Sequence, residues 1–92
     1  MARRYRTKVT LYYEILRSVR DRGAAQPTRI MYDVNLPYSK LKEMLEEMVS
    51  KGLLAERREG KSVEYSITEE GLRLLVKLED VLRSLRRLGL QV

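Results

Sequence analysis

Apolar residues recur at three- and four-residue spacing through the first half of the chain, a pattern typical of amphipathic helices. A first helix is predicted to begin after Thr7, its N-cap, and to end near Arg22, before Gly23. Pro27 suits the first turn of a short second helix over residues 28–34. The predicted apolar face of the first helix is Val9, Tyr12, Ile15, Leu16 and Val19.

The second and third predicted helices are joined by Asn35-Leu36-Pro37, a link so short that the chain must turn a tight corner there. Asn35 tolerates a left-handed backbone, and Pro37 cannot continue the preceding helix. The third helix is predicted over residues 38–51, and its buried residues would be Leu41, Met44, Leu45, Met48 and Val49. Such a corner occurs in DNA-binding helix-turn-helix proteins and in ordinary helical bundles, so the spacing alone does not decide between them.

Beyond Gly52 the apolar period changes from helical to alternating, which predicts strands. Leu53–Arg57 and Ser62–Ile67 are predicted to pair across the turn Arg58–Lys61, and Thr68 is predicted to cap a helix to about Leu88. The fold class is therefore mainly α with a two-stranded hairpin, in the winged helix-turn-helix order α-α-α-β-β-α. We divide the chain into a basic arm (1–6), a winged-helix domain (7–67) and a long C-terminal helix (68–92).

Composition narrows the possible functions. The 92 residues include no Cys and no His, which excludes thiolate metal sites and Ser-His or Cys-His catalysis. No phosphate-binding Gly-rich loop is present, so we expect no enzyme activity, no metal and no cofactor. Nineteen Lys and Arg against 13 Asp and Glu give a net charge of +6, which favours a polyanionic partner, although it could serve solubility alone. No apolar run is long enough to cross a membrane and no secretory signal is recognisable, which predicts a cytoplasmic, nucleoid-associated protein.

The segment TRIMYDVNLPYSKLKEMLEEMVSKGLL, followed by a hairpin and YSITEEG, resembles a family of small archaeal winged-helix DNA-binding proteins. The matching positions are Thr28 to Tyr32, Asn35 to Tyr38, Leu41 to Met48, Gly52 to Leu54, Tyr65, Thr68 and Gly71. The resemblance implies a winged helix that binds duplex DNA as a homodimer, through antiparallel pairing of the last helices. Some members look like transcription regulators and others like chromatin-type proteins. Pro37 departs from the family, which usually has Ser there, and the tail after Gly71 is shorter than in the chromatin-type members.

In a winged helix the third helix enters the major groove and the hairpin lies against the adjacent backbone. Glu43, Glu46 and Glu47 would be repelled by phosphates, so we expect only the first turn of this helix to approach bases. The predicted DNA-binding residues are Arg29, Tyr38, Ser39, Lys40 and Lys42, together with Arg57, Arg58 and Lys61 of the hairpin. Lys40 and Lys42 could instead pair with neighbouring carboxylates, and basic hairpin residues could merely discourage aggregation. The arm residues Arg3, Arg4 and Arg6 would follow a groove or form a solvated tail.

The last helix carries an apolar seam that is longer than a domain of this size can cover. We predict a homodimer interface, with Leu82, Leu85 and Leu88 exposed in a single protomer; the alternative is that the helix folds back onto its own domain. The predicted interface residues are Leu74, Leu78, Val81, Leu82, Leu85 and Leu88. The predicted function is a homodimeric, duplex DNA-binding transcription regulator. A chromatin-type protein with little sequence specificity and a winged-helix protein-interaction module are the alternatives.

Overall fold

A computed structural model describes residues 6–90, and its order of elements confirms the predicted winged helix. Three helices are followed by an antiparallel hairpin and a fourth, longer helix. The elements are α1 (Lys8–Arg22), α2 (Pro27–Val34), α3 (Tyr38–Ser50), β1 (Leu54–Glu59), β2 (Ser62–Ile67) and α4 (Glu69–Arg87). Within residues 6–90, no helix combines the length and the apolar character needed to span a bilayer.

The ends of the helices follow local sequence chemistry. Thr7 caps α1 by accepting a hydrogen bond from Thr10 N at 3.1 Å, and Thr68 caps α4 by accepting one from Gly71 N at 3.0 Å. Asn35 ends α2 in the left-handed conformation, with φ 54° and ψ 55°. These two caps and the left-handed corner confirm the predicted boundaries.

One core lies between the helices and one face of the hairpin. Most of the residues predicted to be buried belong to it, and it also contains Leu11 and Tyr13 of α1. Val9 was wrongly predicted to be buried, since 55% of its surface is exposed. It lies in the first turn of α1, at the margin of the core, where helical spacing no longer guarantees a packing partner. The largest fully buried side chains are Ile15, Leu16, Ile30, Leu41, Met44, Leu45, Met48, Leu54, Leu75 and Val19.

The hairpin is longer and its turn tighter than predicted. The strands pair from Leu54 opposite Ile67 to Glu59 opposite Ser62, which leaves a two-residue turn. Gly60 has φ 60° at the first position of this turn, where glycine meets no steric penalty. Ala25, in the loop between α1 and α2, forms an isolated antiparallel bridge with Tyr65 of β2. Ala25 N donates to Tyr65 O at 2.9 Å, and Tyr65 N donates to Ala25 O at 2.8 Å.

The start of α4 is hydrogen-bonded to the segment between α3 and β1. Thr68 Oγ1 donates to Gly52 O at 2.6 Å, and Thr68 N donates to Leu53 O at 3.2 Å. Gly71 packs so closely that a Cβ added there would lie 2.1 Å from Leu53 O. The Thr-x-x-Gly step therefore allows α4 to cross the backbone leading into β1, which fixes the hairpin relative to the helices.

Candidate DNA-binding surface

The first turn of α3 is exposed and carries mainly neutral and basic side chains. Tyr38 is 51% exposed, and Ser39, Lys40 and Lys42 are also exposed. Pro37, at the N-cap, makes no side-chain cap hydrogen bond, as its departure from Ser implies. The positive end of the helix dipole and the first N–H groups of α3 are therefore available to an anion.

The two lysines of this turn differ in their surroundings. Lys40 Nζ lies 3.8 Å from Glu43 Oε1, so Lys40 forms the ion pair with a neighbouring carboxylate that was predicted as an alternative. Lys42 forms no ion pair with any residue in 6–90. Since an exposed pair three residues apart contributes only about 0.3 kcal/mol, a phosphate can displace Glu43 from Lys40 at little cost.

Glu47 takes little part in the outward acidic face. Its carboxylate accepts a hydrogen bond from Tyr12 Oη and pairs with Lys8 at 2.9 Å and with Lys51 at 3.5 Å. The Tyr12 hydroxyl first, and then Lys8, lower the pKa of Glu47 to about 2. The contacts of Glu47 with Tyr12 and Lys8 join α3 to α1. The two lysines partly offset the negative charge of Glu47, one of the three carboxylates predicted to keep α3 away from DNA. The other two, Glu43 and Glu46, are exposed as predicted.

The hairpin, or wing, distributes its basic residues over two faces and a tip. Arg57 pairs with Glu59 at 2.8 Å, and Arg58 pairs with Glu56 at 2.7 Å. The strand register places the two arginines on opposite faces, because successive strand residues alternate. Lys61 lies in the turn and has no ion-pair partner within the described part of the chain.

Tyr65 and two charged side chains form a cluster on one face of the wing. The Tyr65 hydroxyl donates to Glu56 Oε1 at 3.3 Å, and Arg58 Nε donates to the other oxygen of that carboxylate at 2.7 Å. Burial, and then the charge of Glu56 and its hydrogen bond, raise the pKa of Tyr65 to about 12, and the positive charge of Arg58 partly opposes this rise. Arg58 thus belongs to a hydrogen-bonded cluster on one face of the wing, and the strand that carries it, β1, contacts α3.

Two other predicted residues lie elsewhere. Arg57 projects from the face of the wing opposite Arg58. Arg29 is exposed on α2, near enough to Asp33 to contribute to the low pKa of that carboxyl group. The main causes of the Asp33 pKa of about 2 are hydrogen bonds from Arg22 and Ser18 of α1.

Arg6 of the basic arm is held by contacts within the free protein and does not lie in a solvated tail. Its guanidinium group donates to Glu14 Oε1 at 2.6 Å, to Val34 O at 2.5 Å and to Asn35 O at 3.0 Å. Arg6 is thereby attached to the end of α2, where the carbonyl groups form the negative end of the helix dipole. Arg3 and Arg4 lie outside the described residues.

The predicted dimer seam on α4 is only partly available. Leu82 is 3% exposed, so the prediction that it is exposed in a single protomer is wrong. The reason is that α4 lies along α1, where Arg20 Nη1 donates to Glu79 Oε2 at 3.1 Å. The other predicted seam residues are half-buried (Leu74, Leu78 and Leu85) or exposed (Val81, 53%, and Leu88, 74%).

Two residues, one on the wing and one on α2, were not among the predicted site residues. Glu56 accepts hydrogen bonds from both Arg58 and Tyr65. The sequence could have indicated this role, because strand alternation places Glu56 on the same face of the hairpin as Leu54. Tyr32 of α2 is 85% exposed, although it lies in a segment with many apolar residues. The helical positions of Ile30 and Val34, which are buried, place Tyr32 on the outer side of α2.

The sequence profile described as winged helix-turn-helix matches residues 5–86. The chain belongs to this family. The match confirms the predicted fold. The structural similarity to Sso10a-2, described below, supports the resemblance to small archaeal winged-helix DNA-binding proteins. No curated protein gives a significant match to the sequence.

Solved structures of a DNA-binding protein and of transcriptional regulators are similar to this chain. Sso10a-2, a DNA-binding protein from Sulfolobus solfataricus, is 25% identical with a TM-score of 0.83, over 91% of this chain and 86% of that protein. The transcriptional regulator BldR from the same organism is 23% identical, with a TM-score of 0.73, over 82% and 55% of the two chains. PcaV, a transcriptional regulator from Streptomyces coelicolor, is 21% identical, with a TM-score of 0.80, over 85% and 57%. The similarity thus spans little more than half of each of these two regulators.

Proposed function

We propose that this protein binds duplex DNA through the first turn of α3 and the wing. The observation that carries the proposal is the junction of α3 and the wing: the exposed first turn of α3 belongs to a helix that contacts β1, the strand that carries Arg57 and Arg58. A DNA-binding protein, Sso10a-2, shares the fold over most of both chains. In winged helices these two elements are the ones that meet the groove and the adjacent backbone.

The basic residues around this junction can bind phosphates by releasing the carboxylates with which they pair in the free protein. Arg57 and Arg58 each hold a carboxylate in the free protein, and both arginine side chains are more than 70% exposed. Exposed pairs of this kind contribute at most about 1 kcal/mol, so a phosphate can replace Glu59 or Glu56. Lys61 and Lys42 need no such exchange. Most of the affinity would therefore come from phosphate contacts and depend strongly on salt.

The role we propose is that of a transcription regulator associated with the nucleoid. BldR and PcaV, which share the fold, are both transcriptional regulators. The alternative is a chromatin-type protein that binds without sequence preference, which the dominance of phosphate contacts would permit. Footprinting on genomic DNA separates the two roles, since a regulator protects discrete sites and a chromatin-type protein protects the duplex uniformly.

A winged-helix protein-interaction module remains the candidate from another class, and the exposed Glu43 and Glu46 of α3 favour it. Carboxylates on that face would suit a basic protein surface better than a phosphate backbone. A protein of this kind would show no salt-dependent affinity for duplex DNA. The same titration therefore distinguishes the two proposals.

We also propose that the protein is a homodimer in solution, with α4 at the interface. Val81 and Leu88 are exposed on one side of this helix, beside the half-buried Leu85. Burying such side chains would contribute about 1.5–3 kcal/mol each, which favours a second copy of the helix as the partner. Two protomers would present two reading surfaces to one duplex, and the distance between them would set the spacing of half-sites.

Sedimentation of a Leu85→Glu variant tests the dimer. The wild type should sediment at twice the protomer mass of 10.8 kDa, and the variant at the protomer mass. Val76→Glu is the matched control, because Val76 is 57% exposed but lies about 140° around the helix from Val81. An unchanged dimer in Leu85→Glu would exclude this side of α4 as the interface.

A DNA titration at several salt concentrations tests the main proposal. If two protomers neutralise about six phosphates, the affinity for duplex DNA should fall ~10³-fold between 50 and 200 mM salt. Lys61→Glu should weaken binding to every duplex alike, whereas Lys77→Glu, an equal charge change on exposed α4, should have a smaller effect. An affinity that does not vary with salt would refute DNA binding.

A further inference from the structure

The corner between α2 and α3 lacks the side-chain cap that would normally fix the start of the reading helix. Pro37 occupies the N-cap of α3 and makes no side-chain hydrogen bond, and Asn35 turns the chain through a left-handed conformation. Within the corner, Asn35 N donates to Met31 O at 2.8 Å and Leu41 N donates to Pro37 O at 3.0 Å. These local bonds close the ends of the two helices but do not connect one helix to the other.

Arg6 ties the α2 side of the corner to α1. Its guanidinium group donates to Val34 O at the end of α2, to the O atom of the C-cap residue Asn35, and to the carboxylate of Glu14 on α1. The Arg6 and Glu14 side chains are 30% and 31% exposed, so water screens the contact less than it screens the wing pairs. Thr7 caps α1 immediately afterwards, which fixes the backbone next to Arg6.

We propose that Arg6 is a positioning residue for the DNA-binding turn of α3. By holding the carbonyl groups of the corner against Glu14, it fixes where Tyr38 and the following residues lie relative to α1 and the wing. This inference rests on the proposed DNA binding, but its structural part concerns the free protein. The opposing interpretation is that Arg6 contacts a DNA phosphate directly, as basic arms do.

Two substitutions separate positioning from phosphate contact. Arg6→Lys keeps the positive charge but loses the planar fork that reaches two carbonyl groups and a carboxylate together. Positioning predicts that Arg6→Lys binds duplex DNA on the order of 10-fold more weakly, with the salt slope unchanged. A phosphate contact predicts near wild-type affinity for Arg6→Lys, and a slope smaller by about one for Arg6→Gln.

Glu14→Gln gives the opposite sign under the two interpretations. Removing a carboxylate strengthens DNA binding if only electrostatics matters, because the protein becomes more positive. Positioning predicts weaker binding, since the amide no longer holds the guanidinium group as firmly. The double variant Arg6→Gln/Glu14→Gln should then bind DNA no more weakly than Arg6→Gln alone, because the two substitutions remove the same Arg6–Glu14 interaction.

Hydrogen exchange of the free protein completes the test without DNA. The amide of Leu41, in the first turn of α3, should exchange on the order of 10-fold faster in Arg6→Gln than in the wild type, while core amides of α1 keep their protection. Unchanged exchange at Leu41, or tighter DNA binding by Glu14→Gln, overturns the proposal. If the wild type does not bind DNA, the proposed function fails, and the exchange rates alone decide whether Arg6 holds the corner.

Discussion

Replacing Gly71 with alanine tests the close contact between α4 and the backbone that leads into the wing. The added Cβ would lie 2.1 Å from Leu53 O and 2.9 Å from Ile67 Cγ1. Carbon–oxygen contacts are rarely closer than about 3.3 Å, so the methyl group is too close by roughly 1 Å. The obstacle is a carbonyl group that accepts a hydrogen bond from Thr68 N, so it cannot move without disturbing the cap of α4.

Overpacking of this kind costs about 1–3 kcal/mol, and a backbone obstacle places Gly71→Ala at or above the upper end. The higher helix propensity of alanine offsets at most about 1 kcal/mol. We therefore expect a net loss of about 2–3 kcal/mol, measurable as a lower midpoint in urea unfolding followed by circular dichroism. Gly52→Ala is the control, because no atom other than those of its chain neighbours would lie within 4 Å of the added Cβ and only its φ of 77° is unfavourable, which costs about 1–2 kcal/mol. Wild-type stability in Gly71→Ala would refute the close contact.

Three further predictions concern the core, a cap and a carboxyl group. Leu82→Ala should lower the free energy of unfolding by about 2–5 kcal/mol, and a cost below about 1 kcal/mol would contradict its burial against α1. Thr68→Ala should cost about 1 kcal/mol in thermal or urea unfolding, because α4 loses its cap, and no loss would show that the cap is dispensable. The pKa of Asp33 falls from 3.8 to about 2 on folding, so its contribution to stability is present above about pH 4 and is lost as the pH falls toward 2. Asp33→Asn should flatten the stability–pH profile in that range, and an unchanged slope would contradict the contacts with Arg22 and Ser18.

The order of elements was predictable because each helix carries its own start and stop signals. Thr7 and Thr68 cap helices, and Asn35 takes the left-handed conformation at the corner, all through interactions within a few residues. The hairpin was placed correctly, but its turn was predicted two residues too long. Glu59 and Arg58 resemble turn residues by their polarity, yet cross-strand pairing with Ser62 and Val63 extends β1 through them.

Contacts between elements distant in sequence were not predictable from local patterns. The burial of Leu82 depends on the packing of α4 along α1, and a helical pattern does not show which neighbour covers it. The attachment of Arg6 to Asn35 joins residues 29 positions apart. The cluster of Glu56, Arg58 and Tyr65 depends on the register of the strands, which the turn length sets.

Mapping of the amide groups affected by DNA, by NMR titration of the labelled protein with a duplex, tests the central claim most directly. The account predicts that amides of the first turn of α3 and of the wing from Arg58 to Lys61 shift together, at the same DNA concentration. Amides on the outer face of α4, such as that of Lys77, should remain unchanged. Shifts confined to α4, or shifts in α3 without the wing, would contradict a DNA-binding surface built from the helix tip and the hairpin.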